Sequence, residues 1–255
     1  MEKILSETIL ISGATSGIGR ATAKIFAKPG RKIIITGRRK ELLASLEKEL
    51  IEQGAEVYCA QFDVRIKAEV ETFFKELPPN FQNIRVLINN AGLAAGMDFI
   101  QNGDTDDWDQ MIDTNVKGLL YLTRAAIAFL EKTEGAQIVN VGSIAGREVY
   151  PKGNVYCATK HAVDALTRSM RIDLHEKGIR VSSVNPGLVE TEFSLVRFKG
   201  DEERANAVYN GLEPLVGEDI AETIRYIVES PFRISIADLT IFAAAQASSR
   251  DVIRK

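Results

Sequence analysis

Short apolar runs alternate along the chain with longer segments whose apolar residues recur at helical spacing. The first run, residues 9–11, leads into a segment from Ile18 to Phe26 that has one apolar face and stops at Pro29-Gly30. Strands that are apolar on both faces and separated by amphipathic helices are typical of a parallel sheet covered on both sides, so the pattern predicts an α/β fold. The predicted strands are 9–11, 33–35, 57–62, 86–88, 138–141, 181–184 and 239–242, and the predicted helices are 18–26, 42–50, 70–77, 108–130, 155–175 and 219–229.

The length and charge of the chain narrow this prediction. The 255 residues fit one α/β domain over residues 1–255. Residues 192–215 are irregular, charged and aromatic, which is typical of a lid over a site. The net charge is −3 and there is no long basic run, so we expect no nucleic-acid partner.

The expected location is the cytoplasm. Residues 1–8 are charged and do not resemble an export signal, and no apolar run is long enough to span a membrane, so we expect no membrane partner. Cys59 and Cys157 make no disulfide framework, which favours reduced thiols. His161 and His175 lack metal-ligand spacing with either cysteine, and we expect no metal site.

A glycine-rich segment, S-G-A-T-S-G-I-G at residues 12–19, connects the first predicted strand to the first predicted helix. Glycine permits a tight turn and close approach of a ligand, and the start of a helix favours a phosphate. The alternative is a glycine-rich turn without function, which the position between strand and helix disfavours. The predicted phosphate-binding residues are Gly13, Thr15, Ser16, Gly17, Ile18 and Gly19.

The end of the second strand indicates which dinucleotide binds. Sites selective for NAD place Asp or Glu here, whereas this chain has Arg38 and Arg39. Because guanidinium groups bind phosphate well, we expect NADP, with Arg38 as the main ligand of the 2′-phosphate and Arg39 as a second one. Asp63, followed by Val64 after the third strand, can either accept a hydrogen bond from the adenine or cap a helix.

Tyr156 and Lys160 are spaced one turn apart on a predicted helix. A free phenol has a pKa near ~10, and a neighbouring ammonium lowers it towards the range of a usable acid/base group. An exposed Tyr-Lys pair without function is a common alternative, so the context decides. Ser143 follows a strand at its carboxyl end, where ligands bind in such sheets, and Asn115 interrupts a helical pattern as a poor helix former.

Two further strand ends complete the predicted cofactor site. The fourth strand ends in Asn90-Ala91-Gly92, where small residues leave room for a flat ring. A later strand ends at Pro186-Gly187, and the loop that follows can reach the nicotinamide through Val189 and Thr191.

Taken together, these residues resemble the short-chain dehydrogenase/reductase family. The motifs S-G-A-T-S-G-I-G, T-G-R-R, F-D-V, N-N-A-G, G-S, Y-C-A-T-K and P-G follow one another in the family's order over nearly the whole chain. The resemblance implies a Rossmann-type, doubly wound, seven-stranded parallel sheet with helices on both faces. It also implies a catalytic tetrad of Asn115, Ser143, Tyr156 and Lys160, in which the Lys also binds the nicotinamide ribose.

A narrower resemblance points to the NADP-dependent 3-hydroxy acid dehydrogenases. It rests on residues 107–108, 111–115, 146–148 and 186–199. It implies hydride transfer with serine, allo-threonine or a related 3-hydroxy acid, or reduction of malonic semialdehyde, by a homotetramer or homodimer. The chain departs from that subgroup at Pro29, at Lys152, where a Gly is expected, and at Ala243–Ala245, which puts the C-terminal packing in doubt.

A hydroxy acid substrate needs a cation for its carboxylate. Arg147, four residues after Ser143, and Arg197 in the expected lid are the candidates, with surface salt bridges as the alternative. Since fold does not determine the substrate, a carbonyl reductase for ketoacyl thioesters, sugars or other ketones is the alternative enzyme. A non-catalytic NADP-binding sensor is the alternative of another class, which the presence of both Tyr156 and Lys160 disfavours.

Overall fold

A computed structural model describes residues 7–255. The segment expected to lack an export signal therefore lies mostly outside the described residues. The strands are β1 Thr8–Ile11, β2 Lys32–Gly37, β3 Glu56–Gln61, β4 Ile84–Asn89, β5 Gln137–Val141, β6 Arg180–Pro186, β7 Val189–Glu190, β8 Leu215–Val216 and β9 Asp238–Ile241. The α-helices are α1 Gly17–Phe26, α2 Lys40–Glu52, α3 Lys67–Lys75, α4 Thr105–Ile112, α5 Leu119–Leu130, α6 Asn154–Asp173, α7 Glu192–Arg197, α8 Glu202–Ala207 and α9 Gly217–Glu229.

Seven of the described strands form one parallel sheet in the order β3-β2-β1-β4-β5-β6-β9. The order reverses direction beside β1, so the ends of β1 and β4 diverge and leave a crevice at their carboxyl side. Ligands of open α/β sheets bind in such a crevice. The predicted seven-stranded Rossmann-type fold is confirmed.

Each face of the sheet is covered by three helices. In β1, Leu10 packs into a core with residues of α3, α5 and α6, whereas Ile9 and Ile11 pack into a second core with residues of α1, α2 and α9. Side chains alternate between the two faces of a strand, so a strand buried on both faces must be apolar throughout. This is why the apolar runs in the sequence locate the strands.

The long helix predicted over residues 108–130 has an internal irregularity. α4 and α5 are joined by a π-helical segment, Asp113–Gly118, which contains Asn115. π-Helical turns occur mostly as single turns inside α-helices and are frequent at functional sites. The periodicity of apolar residues predicts the helix but not the π-helical turn.

The segment expected to form a lid contains two short helices, α7 and α8, and runs up to β8. A two-residue pairing of β7 with β8 joins its two ends, and the sequence pattern did not predict this small sheet. Lys152 occupies the left-handed region at φ 66°, which explains why a Gly is expected there. No helix within residues 7–255 is long and apolar enough to cross a membrane.

Candidate active site

The loops at the carboxyl ends of the strands enclose a cavity of about 670 Å³. Segments that are far apart in the sequence line it, from the glycine-rich loop to the C-terminal residues. Most of the residues predicted from the sequence lie on its wall: Gly13, Thr15, Ser16, Gly17, Ile18, Arg38, Arg39, Asp63, Val64, Asn90, Ala91, Gly92, Ser143, Tyr156, Lys160, Pro186, Gly187, Val189, Thr191 and Arg197.

The glycine-rich loop makes a cradle that side chains would fill. Gly13 and Gly17 have φ of +65° and +48°, which other residues rarely adopt. A Cβ atom on Gly13 would lie 2.8 Å from the Cα of Ala91, and one on Gly17 would lie 3.0 Å from Thr191. Glycine at these two positions thus lets the loop backbone pack closely against Ala91 and Thr191 on the cavity wall.

Gly19 has a different role from its neighbours. It is not among the residues that line the cavity. A Cβ atom there would collide with the carbonyl oxygen of Gly13 and with the side chain of Asn90. The Asn90 amide donates hydrogen bonds to the carbonyls of Ser12 and Gly13, each at 3.0 Å, which fastens the end of β4 to the loop. Gly19 thus permits the packing that shapes the cradle.

Two arginines lie at the end of β2, on the side of the cavity expected to bind the adenosine. The Arg39 guanidinium donates hydrogen bonds to the hydroxyls of Thr15 and Ser16 and pairs with Glu192 at 2.7 Å. Within residues 7–255, the side chain of the half-exposed Arg38 makes one long ion pair, 3.9 Å from Asp63. Arg38 therefore keeps donors for a ligand, while Arg39 holds the glycine-rich loop against α7.

Asp63 does not cap a helix, because α3 has Ile66 as its N-cap residue. Its carboxylate accepts hydrogen bonds from the Arg65 side chain at 2.6 and 2.9 Å. Partial burial alone would raise the pKa of Asp63, but the hydrogen bonds and charge of Arg65 lower it below the usual value. The result is a fixed, ionised acceptor on the cavity wall, which suits the adenine amino group.

Tyr156 and Lys160 lie on α6, and both side chains are buried. The Lys160 Nζ is 6.0 Å from the centre of the Tyr156 ring and donates a hydrogen bond to the Val141 carbonyl at 3.0 Å. Burial lowers the pKa of Lys160 to about 8. Burial also disfavours the charged form of Tyr156, which is the phenolate, and therefore raises the pKa of Tyr156. A hydrogen bond with Ser143 and the charge of Arg197 act in the opposite direction and lower it.

The pKa of Tyr156 is therefore shifted in the opposite direction to that predicted from the Tyr-Lys spacing. The spacing places a positive charge near the phenol but carries no information about burial, which dominates here. In the protein alone, Tyr156 is a neutral acid held beside Ser143.

Asn115 lies behind the cavity, and the cavity wall does not include it. Its amide nitrogen donates hydrogen bonds to the Leu93 carbonyl at 2.8 Å and to the Thr159 hydroxyl at 3.0 Å. Its oxygen accepts a hydrogen bond from the Leu93 backbone at 2.9 Å. Asn115 thus joins the loop after β4 to the helix that carries Tyr156 and Lys160.

Arg197 reaches the cavity from α7. Its guanidinium lies 5.5 Å from the ring centres of both Tyr150 and Tyr156 and donates a hydrogen bond to the Tyr150 hydroxyl at 3.0 Å. A second hydrogen bond, at 3.3 Å, goes to the Gly96 carbonyl. A positive charge is thereby held beside the Tyr156 ring.

Comparison with known proteins identifies the family. Residues 7–201 match the short chain dehydrogenase family. The chain belongs to the short chain dehydrogenase family. The predicted family, fold and enzyme class are thereby confirmed.

The relatives of this short chain dehydrogenase extend over nearly its whole length. It is 44% identical to sulfoacetaldehyde reductase 2 of Chromohalobacter salexigens, over 96% of this chain and 97% of that one. It is 42% identical to the NADP-dependent 3-hydroxy acid dehydrogenase of Escherichia coli K12, over 94% of this chain and 96% of the relative. A structure of serine dehydrogenase in a closed form with NADP+ is similar at a TM-score of 0.91 and 40% identity, covering 97% and 99% of the two chains.

Arg147 does not reach the cavity of this short chain dehydrogenase, so its predicted contact with the substrate needs correction. Its guanidinium pairs with Asp164 on α6 at 2.9 Å and with Asp238 at the start of β9. These two carboxylates hold the side chain away from the cavity, whose lining residues do not include it. Arg147 instead connects the loop after Ser143 to the helix that carries Tyr156.

Several residues of the cavity wall were not predicted. The aromatic residues Tyr150 and Phe193 lie beside Tyr156, with the Phe193 ring centre 5.5 Å from that of Tyr156. Gln246 is buried and accepts a hydrogen bond from the Leu188 backbone at 2.8 Å, in the loop after β6. Phe193 lies within the segment 186–199 that carries the narrower resemblance but was not singled out there, and Tyr150 and Gln246 are revealed only by their position in the fold.

Among residues 7–255, no group of three or more His, Cys, Asp and Glu side chains is arranged to hold a metal ion. The acid-base groups that face the cavity beside Ser143 are Tyr156 and Lys160.

Proposed function

We propose that this short chain dehydrogenase transfers hydride between NADP(H) and the CH–OH or C=O group of a small 3-hydroxy acid such as serine or allo-threonine, or reduces malonic semialdehyde. The observation that carries this proposal is Arg197, held over the Tyr156 ring by Tyr150 and the Gly96 carbonyl. A carboxylate bound there would bring the hydroxyl of the same molecule towards Ser143 and Tyr156. The names of the relatives from Escherichia coli and of the serine dehydrogenase agree with this substrate class.

The cofactor proposal rests on the arginines at the end of β2. Neither Asp nor Glu stands there to bind ribose hydroxyls, and Arg38 has donors to spare for a 2′-phosphate. Gly13 and Gly17 leave room for the pyrophosphate, and Asp63 offers an acceptor to the adenine. The chain's residues fit NADP, which several relatives name as their cofactor.

The chain contributes the proton transfer and the orientation of the substrate. NADP, when bound, supplies or accepts the hydride. In oxidation, Ser143 donates a hydrogen bond to the substrate oxygen and Tyr156 takes the hydroxyl proton; in reduction, Tyr156 returns it. Because burial lowers the pKa of Lys160 only to about 8, the ammonium is largely charged at neutral pH and favours the phenolate of Tyr156 when that proton has left.

Burial of Tyr156 favours the protonated phenol in the protein alone. Burial raises the pKa of the phenol, so the protonated form, which is the acid needed for reduction, dominates at neutral pH. Oxidation requires the less populated phenolate. Asn115 does not line the cavity. Its hydrogen bonds to Leu93 and Thr159 hold the loop after β4 against the helix that carries Tyr156 and Lys160.

A sulfonate can replace the carboxylate at the same position, because an arginine binds either oxyanion. This is the second candidate, supported by Arg197 and by the similarity to a sulfoacetaldehyde reductase. It keeps the same reaction and the same acid-base groups.

The experiment that tests the proposal measures initial rates for serine, 3-hydroxybutyrate, sulfoacetaldehyde, acetoacetyl thioester and an uncharged secondary alcohol, each with the NADP and the NAD form of the cofactor. We expect the acids to be used with NADP+. Arg197→Met should raise KM for the acids by about tenfold or more and should leave KM for the alcohol nearly unchanged. Faster turnover of the thioester would favour a general carbonyl reductase. Tight NADPH binding without consumption by any substrate would favour a sensor.

The location and assembly belong to the same proposal. We place the enzyme in the cytoplasm as a homotetramer or homodimer, with no nucleic-acid or membrane partner. Cys59 and Cys157, the two cysteines of the described residues, are not paired with each other. Light scattering of the purified protein gives its mass in solution directly.

A further inference from the structure

The C-terminal residues fold back over the cavity. Gln246 pairs with Val252 in an antiparallel bridge, and the turn between them is closed by hydrogen bonds to the Ser248 hydroxyl from the backbones of residues 250 and 251. We call residues 246–255 the C-terminal hairpin. Ser249, Arg250, Val252 and Arg254 of this hairpin line the cavity.

Two contacts locate the hairpin at the catalytic end of the cavity. The Ser249 backbone donates a hydrogen bond to the Glu148 carboxylate at 2.7 Å, and Glu148 is five residues beyond Ser143. The buried Gln246 accepts a hydrogen bond from Leu188 in the loop after β6. Arg250 therefore lies between the Ser143 loop and the loop expected to hold the nicotinamide.

The positive charge of Arg250 is not neutralised by the protein. Of the basic residues that line the cavity, Arg38, Arg39, Lys160, Arg197 and Arg254 each have a hydrogen bond or ion pair. Within residues 7–255, Arg250 has neither for its guanidinium. The nearest acids of the hairpin region are occupied, since Glu148 binds the Ser249 backbone and Asp251 accepts a hydrogen bond from Ser248.

The acidic residues that line the cavity do not belong to the C-terminal hairpin. They are Asp63 and Glu192, which pair with Arg65 and Arg39. Besides Lys160, the catalytic end thus has two cations, Arg197 and Arg250, on separate elements, α7 and the hairpin. Arg197 with Tyr150 provides the donors that one carboxylate needs, which leaves Arg250 for another anion at the exposed mouth of the cavity.

We propose that Arg250 is a specificity-determining residue that binds a second acid group, so that the enzyme favours 3-hydroxy acids with an additional carboxylate at the far end of the molecule. This inference rests on the proposed function. It concerns recognition and leaves the hydride and proton transfers unchanged.

The test compares 3-hydroxyglutarate with its monomethyl ester, which has nearly the same size but one carboxylate fewer. With NADP+, we expect kcat/KM for the diacid to exceed that for the ester by about fivefold or more, through KM rather than kcat, because an ion pair at an exposed site contributes modestly. Arg250→Gln should bring the ratio close to one, and Arg250→Lys should keep part of it. Arg225→Gln, on α9 outside the cavity, is the matched control and should keep the ratio of the unmodified enzyme.

Three results would overturn the proposal. One is a ratio near one in the unmodified enzyme, and another is a ratio that survives Arg250→Gln. In either case oxidation of the ester would still support the proposed function. The third is no oxidation of either compound with NADP+ by an enzyme that oxidises serine, which would overturn this inference and leave the proposed function standing; no oxidation of serine either would overturn both.

Discussion

Tyr156 shows how one side chain responds to competing influences. Its phenol is buried, which raises its pKa, whereas a hydrogen bond with Ser143 and the charge of Arg197 lower it. The Arg197 guanidinium lies over the Tyr156 ring at 5.5 Å. Arg197 therefore has two effects in the proposed reaction: it attracts the acid group of the substrate and stabilises the phenolate needed for oxidation.

The second effect of Arg197 can be measured with a substrate that has no acid group. Oxidation needs the phenolate, so kcat/KM for an uncharged alcohol should rise from about pH 7 to about pH 9, while the reverse reduction, which uses the phenol that dominates over this range, should change little. Arg197→Met removes a charge that lowers the pKa of Tyr156 and should move the rising limb of the oxidation profile to higher pH. Initial rates across this range check the prediction, and Tyr156→Phe, which lacks the titrating phenol, should abolish the limb. An unmoved limb would show that Arg197 acts on substrate binding alone.

At the scale of single elements, the sequence predicts the regular parts and misses the local deviations. The central strands β1 and β4 coincide with apolar runs because both of their faces are buried, whereas β5 and β6 also bury polar side chains such as Asn140 and Ser183. The π-helical turn at Asp113–Gly118 has no such signature. The turn contains Asn115, whose side chain forms hydrogen bonds with Leu93 and Thr159. These contacts join elements that are distant in the chain, so the local sequence does not reveal them.

Arg147 illustrates the same limit for a site residue. Its position four residues after Ser143 suggested contact with the substrate, but Asp164 and Asp238 come from elements whose proximity the local sequence does not reveal. These carboxylates make Arg147 a positioning residue that holds the Ser143 loop against α6. Asp164 also pairs with Arg168 at 2.5 Å, so it keeps one partner when Arg147 is removed.

Arg147→Leu should therefore impair chemistry without changing discrimination between substrates. We expect kcat to fall by about tenfold for both serine and an uncharged alcohol, with the ratio of their KM values unchanged, because a loosened Ser143 affects the transition state of both. Arg168→Leu removes a cation from the same carboxylate but not from the loop, and it should leave kcat within about twofold. A rise in KM confined to serine would restore Arg147 to the substrate contact first expected of it.

At the scale of the whole molecule, the site can be located from the sequence because parallel strands end at one edge of the sheet. Motifs at the ends of β1, β2, β4, β5 and β6 must then face one another, and their residues do line one cavity. The return of the C-terminal hairpin could not be predicted. It depends on Gln246, whose partner Leu188 lies 58 residues earlier, and on Glu148, 101 residues before Ser249.

Gln246 connects this hairpin to the loop expected to hold the nicotinamide. Its side chain is buried, accepts a hydrogen bond from Leu188 and donates one to the Ser248 carbonyl at 3.0 Å. Gln246→Ala leaves the partly buried Leu188 N–H without its partner, which costs about 1 kcal/mol. Because the loss falls on the loop between Pro186 and Thr191, part of it should appear as weaker cofactor binding.

We expect Gln246→Ala to weaken NADP+ binding by about threefold to tenfold, measured by isothermal calorimetry, and to lower the midpoint of urea unfolding. Gln82→Ala is the matched control, because the Gln82 amide donates a hydrogen bond to the Leu77 carbonyl at 2.8 Å, outside the residues that line the cavity. It should destabilise the fold without affecting the dissociation constant of NADP+. Equal losses of affinity in both variants would mean that stability alone governs binding, whereas an effect confined to Gln246→Ala would show that the hairpin holds the cofactor loop in its binding conformation.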